Sequence, residues 1–288
     1  MKVSLAQALG TCFGVRDAIE AALDESFRDN LTVLGQLVHN PQTLERLRDH
    51  GVTLVDSTDG PIPTRNVMIT AHGAPASLKA RLEAAGHTVY DASCPLVLRV
   101  HSAVARLQRE GYFPVVIGQP SHVEVRGIVG DLEEFAVVEP GSEPDLSPLE
   151  GRERLGIVAQ TTQQMDAVER IVAAIRSGCP EAEIRFVDTV CKPTKDRQIA
   201  VHALADQVDL MIVVGGANSS NTAKLKKVCD DRGLEAHHIQ GPRDLDETWF
   251  VGKEHVGITA GTSTPHDVIE EVRQEVVRLA SKISGARS

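Results

Sequence analysis

The sequence predicts an α/β fold of three related units with mostly parallel sheets, and three observations lead there. Short apolar runs alternate with amphipathic stretches along the whole chain. A short cysteine phrase recurs, "VYDASCP" at 89–95 and "VDTVCKP" at 187–193. After each cysteine, helix, strand and a polar residue follow at nearly constant spacing. Strand alternating with helix implies parallel pairing, because the crossover must return the chain to the same sheet edge.

The elements follow in order. From Cys12, "VRDAIEAALDESF" reads as a helix leading to the strand "LTVLG" (31–35), with His39 at Cys+27. The strand "NVMIT" (66–70) runs into "TAHG" and His72, and "ASLKARLEAAG" is a helix with a glycine C-cap. From Cys94, "LVLRVHSAVARLQREG" leads to "PVVIG" (114–118), with His122 at Cys+28. The segment 139–151, "EPGSEPDLSPLEG", reads as a surface loop before the strand "LGIVA" (155–159), whose tip carries Thr161 and Thr162. From Cys191 a helix leads to "LMIVVG" (210–215), with Ser219 at Cys+28. The helix "NTAKLKKVCDDRG" and the strand "HVGIT" (255–259), tipped by Thr262 and Ser263, complete the series. Repetition on this scale divides the chain into units at 13–94, 95–190 and 191–288, with 1–12 packing at their centre. Ligands bind beyond the carboxyl ends of parallel strands. Three units facing one another would bring three cysteines and the polar strand tips to a common centre.

Composition narrows the chemistry. A formal charge of −10 and only 3% aromatic residues argue against a nucleic-acid partner, which needs a basic face or stacking platforms. No apolar run reaches 18 residues, so no membrane span is expected, and the opening "MKVSLAQALGTCFGV" lacks a signal-peptide h-region. A cytoplasmic location follows. There, five cysteines are not a disulfide framework.

Three convergent thiolates have two readings. Structural zinc takes four ligands, usually with close cysteine pairs, and no C-x-x-C occurs. An iron–sulfur cluster accepts scattered cysteines, and three would leave one iron of four open. Cys179 and Cys229 fit no repeat and read as structural. His39, His72 and His122 are each unremarkable alone. Together with "NSSN" (Ser219, Ser220, Asn221) and Ser263, they suit a phosphate or diphosphate held at helix N-termini. Glu124 stands two residues beyond His122, a spacing that puts both side chains on one side of a strand or extended loop. It reads as a proton donor, or else as a solvated loop glutamate. "HVE" matches the H-x-E of zinc deaminases, but their P-C-x-x-C partner is missing.

These residues resemble the 4-hydroxy-3-methylbut-2-enyl diphosphate reductase family of the methylerythritol phosphate route. The resemblance rests on "CFGVRDAIEAA", "LVHN", "TAHG", "DASCPLV", "HVEVRG", "AQTT", the Cys191 phrase on through Thr194, Arg197 and Gln198, "NSSN" and "TAGTSTP". It implies a trefoil of three units around a [4Fe-4S] cluster on Cys12, Cys94 and Cys191, one that air converts to [3Fe-4S] or strips. It implies reductive removal of the substrate's hydroxyl as water, giving isopentenyl and dimethylallyl diphosphates. His39, His72, His122, Ser219, Ser220, Asn221 and Ser263 are then diphosphate contacts. Glu124 is the proton donor, with His122 sharing that path and Thr161 ordering the hydroxyl end. Electrons come from an external donor such as ferredoxin or flavodoxin. The chain departs from the family beside the cysteines, at Thr11, Leu98, Arg99, Lys192 and Pro193. The alternatives are a paralogue reducing another small molecule, a cluster-bearing sensor without turnover, and a zinc hydrolase.

Overall fold

A computed structural model describes residues 1–38, 40–55, 60–141 and 144–285. The chain opens with β1 (Lys2–Leu5) and α1 (Phe13–Ala22). There follow β2 (Leu31–Leu34), α2 (Pro41–Asp49), β3 (Val52–Val55), β4 (Asn66–Ile69), α3 (Ala76–Ala84) and β5 (Thr88–Asp91). The next series is α4 (Pro95–Arg109), β6 (Phe113–Ile117), α5 (Val123–Val129), β7 (Ala136–Val138), β8 (Arg154–Ala159), α6 (Met165–Gly178) and β9 (Glu183–Phe186). The last is α7 (Lys192–Ala205), β10 (Leu210–Val214), α8 (Ser220–Asp231), β11 (Ala236–Ile239), β12 (His255–Ala260) and α9 (His266–Gly285).

These strands make three four-stranded sheets, β3-β2-β4-β5, β7-β6-β8-β9 and β11-β10-β12-β1. Every pairing is parallel. The three sheets share one topology, and the runs named from sequence are the two inner strands of each. In the third sheet β1 takes the place that β5 and β9 hold in the other two, with Lys2 opposite His255. Each cysteine therefore follows an outer strand paired to an inner one. The chain falls into two compact units. One is Met1–Val15, Val38–Glu45 and Lys192–Ser288, with the third sheet; the other is Arg16–Leu37 and Arg46–Cys191, with the first two.

Parallel strands buried on both faces must be apolar throughout. β6 and β8 comply. Ile117 and Ile157 pack with Val168, Ile171 and Ile175 of α6, while Val116 and Val158 face Val100 and Leu107 of α4. The third sheet is built alike, with Ile212 and Ile258 against Val272 and Val276 of α9, and Met211 and Val213 against Val201, Leu204 and Leu225. Each such side chain contributes about 1.5–3 kcal/mol on burial. Gly86 follows α3 at φ +91°, the left-handed turn anticipated from its sequence.

Two readings change locally. The helix expected over 15–27 stops at Ala22, because the Asp24 carboxylate accepts the Ser26 N–H at 2.9 Å and caps a separate 3₁₀ turn, Glu25–Phe27. Within 139–151, of which 142–143 lie outside the described residues, Leu149 is fully buried in the core under β8.

Close backbone approach sets the start of α8. A Cβ at Gly215 or Gly261 would fall on the Thr222 hydroxyl, so both strand tips need glycine. Gly261→Ala is expected to cost about 1–3 kcal/mol by overpacking. Adding Thr222→Ala should recover part of that loss in a denaturation double-mutant cycle. Additive losses would show that the contact is not the cause.

Candidate active site

The same corner is built three times. The Cys94 N–H donates to the Ala71 carbonyl, the Cys191 N–H to that of Thr161, and the Cys12 N–H to that of Thr262, each at 3.0 Å. Each acceptor is the second residue of a four-residue turn leaving an inner strand. The turns close with Gly73 N–H to Thr70, Gln163 N–H to Gln160, and Thr264 N–H to Gly261 carbonyls. None of the three is in a disulfide, and each is partly accessible. The other two cysteines are structural, as expected. Cys229 is wholly buried in the core under α8, where burial pushes its thiol up to about 11. Cys179 packs against the α6 core.

In the unit of Arg16–Leu37 and Arg46–Cys191, the predicted residues gather at the tips of the first two sheets. The His72 and His122 rings lie edge-to-face, with centroids 5.8 Å apart. A close backbone approach accompanies them, since a Cβ at Gly127 of α5 would stand 3.3 Å from the Gly73 carbonyl oxygen. His122 is the N-cap of α5, and its Nδ1 accepts the Glu124 N–H at 3.1 Å. Glu124 is thus in a helix rather than on a strand or extended loop, and the two-residue spacing works through capping instead of strand alternation. Nor is it solvated. Glu124 is 1% exposed, and Thr161 donates to its carboxylate from both N–H (2.6 Å) and Oγ1 (2.8 Å). Burial pushes this carboxyl up to about 7, against the two Thr161 hydrogen bonds that pull it down.

In the other unit the predicted donors stand where β10 and β12 end. Ser219 caps α8, its Oγ accepting the Thr222 N–H at 3.3 Å, and Ser220 and Asn221 open the helix. Asn221 Nδ2, Thr222 Oγ1 and Ser263 Oγ are buried without a hydrogen-bond partner. Unpaired buried donors at the positive end of a 12-residue helix await an acceptor, and an anion supplies one. His39 lies outside the described residues. Its neighbour Asn40 accepts the Thr43 N–H at 2.9 Å, so this strand too runs into a capped helix start.

The spacing left two residues unassigned. Thr162, already marked as a strand tip, is the third residue of its turn, the position of His72 and Ser263 in the other two; unequal offsets from the cysteines hid that equivalence. Arg197 is buried and donates to the carbonyls of Pro193 (2.8 Å) and Gly10, tying the start of α7 to the loop before Cys12. An arginine inside an apolar helix face was the available signal.

Soft thiolates without a close pair, and unpaired donors at helix starts, fit an iron–sulfur cluster and a diphosphate by donor chemistry. Among the described residues, no three His, Cys, Asp or Glu side chains form a ligand group for a single metal ion. Nor is any helix long and apolar enough to cross a membrane.

Comparison with known proteins gives the same direction. The family model described as LytB protein matches residues 3–277. The chain is 38% identical over 293 residues to a 4-hydroxy-3-methylbut-2-enyl diphosphate reductase of Geobacter sulfurreducens, covering 99% of this chain and 100% of that one. It is 37% identical to the protein of that name from Aquifex aeolicus, covering 96% of each. Among solved structures it is similar to (E)-4-hydroxy-3-methyl-but-2-enyl diphosphate reductase, described as the terminal enzyme of the non-mevalonate pathway. That match has a TM-score of 0.68 and 35% identity, over 96% of this chain and 100% of the other. The Plasmodium falciparum E-1-hydroxy-2-methyl-but-2-enyl-4-diphosphate reductase superposes with a TM-score of 0.85 at 27% identity, over 96% and 87%. With the family model covering nearly the whole length, and relatives well above 30% identity end to end, the chain belongs to the LytB protein family.

Proposed function

We propose that this chain is a 4-hydroxy-3-methylbut-2-enyl diphosphate reductase, producing isopentenyl and dimethylallyl diphosphates at the end of the methylerythritol phosphate route. One observation carries the chemistry. Thr161 ties Glu124 to the Cys191 corner: its N–H and hydroxyl donate to the Glu124 carboxylate, and its backbone carbonyl accepts the Cys191 N–H. Cys12, Cys94 and Cys191 would hold a [4Fe-4S] cluster, which supplies electrons and a Lewis-acidic iron.

The protein's own residues do the rest. Asn221 and Ser263 carry unsatisfied donors for the diphosphate, and Ser219, Ser220, His72, His122 and His39 complete the proposed anion contacts. Binding at the diphosphate fixes the allylic C–O end, so little motion remains before cleavage. Glu124, held near neutrality, can be protonated at working pH and donate to the departing oxygen. Thr161 holds that carboxyl through two hydrogen bonds and offers its hydroxyl to the substrate's. Each turnover breaks one C–O bond, consumes two electrons and two protons, and releases water. The electrons come from a reduced external carrier. We take the repeating units to be 13–94, 95–190 and 191–288, arranged as a trefoil, and the compartment to be the cytoplasm.

Anaerobic purification with iron and sulfide analysis, followed by a reduced-dye assay on the hydroxylated diphosphate, tests this reading. Iron-loaded protein that leaves the substrate unchanged would sink it. Glu124→Gln should keep iron, sulfide and substrate binding yet lose about 10²-fold or more in turnover. Near-normal turnover would remove Glu124 from the proton path.

The raised carboxyl pKa also predicts a stability signature. A pKa raised on folding gives stability that is complete below the unfolded value of 4.5 and lost as pH climbs through about 7. Glutamine carries no such charge, and the Thr161 hydroxyl can turn to accept from its amide. Glu124→Gln should therefore match wild type near pH 4.5 and exceed it by about 2–3 kcal/mol at pH 8 in anaerobic denaturant titrations. A pH-independent difference would contradict the raised value.

A further inference from the structure

The three helices that follow the cysteines are topological equivalents, and they differ sharply in charge. α1 carries Arg16 with Asp17 and Glu20, and α7 carries Lys192, Lys195 and Arg197 with Asp196. α4, which Cys94 caps, carries three arginines and no carboxylate. In a chain with 40 acidic residues against 30 basic ones, that is a local reversal of sign.

The arginines fall on one face. Val97, Val100, Ala103, Val104 and Leu107 turn into the core, leaving Leu98, Arg99, Ser102, Ala105, Arg106 and Arg109 to solvent. Leu98 is 39% exposed, one turn beyond Cys94. Arg99 reaches back to the Asp188 carbonyl (3.5 Å), in the approach to Cys191. Around the helix end, Glu110 is already paired with Arg185 and lies 3.9 Å from Arg106. Its backbone carbonyl accepts from Arg154 at 2.6 Å. Five arginines thus face Glu110, Glu183 and Asp188 at this end, the first two already paired, while Asp91, itself paired with Lys79, and Asp131 act on His101 of the same helix.

We infer that the exposed face of α4 is the docking surface for a small, acidic, one-electron carrier protein. The apolar Leu98 end lies beside Cys94, and the arginine stripe steers and orients the partner. This rests on the reductase reading above. The chemistry requires two electrons per C–O bond broken, so two reduced carriers dock and leave oxidised in each turnover. Guanidinium groups are well suited to carboxylates, and a rim of charge mainly sets association rate and salt dependence.

The test uses cluster-loaded, anaerobic full-length protein with two electron sources, an acidic ferredoxin and a small reduced dye that needs no docking site. For Arg106→Glu/Arg109→Glu, the KM for reduced ferredoxin should rise about tenfold or more at low salt. Its salt dependence should flatten relative to wild type, while dye-driven turnover stays unchanged. Arg278→Glu, on the exposed face of α9, should leave the ferredoxin KM within about twofold. Normal dye-driven turnover with a ferredoxin KM unchanged in the α4 variant overturns the docking surface and leaves the reductase reading standing. An equal rise in the Arg278 variant overturns it as well, because net charge rather than α4 is then responsible. Wild type inactive with the dye overturns the reductase reading, and this inference with it.

Discussion

Everything at the site depends on one backbone hydrogen bond, made three times. A cysteine N–H at the start of a helix donates to the carbonyl one residue into the turn that leaves an inner strand. The bond fixes the thiol relative to the sheet, and the sheet is fixed by parallel ladders buried on both faces. A side chain one bond from a pinned backbone has few rotamers to search, so thiol position is inherited from the core rather than from the loop around it. The same turn presents its third residue, His72, Thr162 or Ser263, so the thiol and a polar strand tip are set by one local geometry.

Polar burial at the two sets of strand tips differs in kind. Glu124 is buried but satisfied, since Thr161 fills both carboxylate oxygens. Asn221, Thr222 and Ser263 are buried and unsatisfied. Each unmet donor costs about 1–3 kcal/mol. That cost is carried by the unliganded protein and repaid when an acceptor arrives, which raises the stability of the liganded state by mass action. On the proposed reading, the satisfied pair would hold a proton and the unsatisfied set an anion.

Much of this was legible in the sequence, and what was not has a physical reason. The inner strands of each sheet announce themselves, because strands such as "LMIVV" are buried along their whole length. Outer strands such as "TVYD" and "EIRF" are half-buried or exposed throughout and leave no apolar run. β1 was hidden further, since its partner β12 is remote in the chain. Cys12, Cys94 and Cys191 were found by spacing, as were His122 and Ser219, because equivalent positions in a repeat stay in register. The environment of Glu124 was not. Its two-residue offset from His122 fits a strand and a capped helix alike, and only the fold shows that the carboxyl points inward. Arg197 escaped because its acceptor, the Gly10 carbonyl, sits in the opening loop.

The placement of β1 has a consequence for biogenesis. Two of the three sheets are assembled from consecutive stretches of chain, but the third is closed by a strand whose partner, His255–Ala260, is translated long after it. As the polypeptide leaves the ribosome, the corner bearing Cys12 has no carbonyl at Thr262 to bind until nearly the last helix emerges. Loading of the proposed cluster on all three thiols would therefore follow synthesis. A half-made chain offers an iron donor two finished corners and one unfinished one, a difference by which delivery could be held back until synthesis ends.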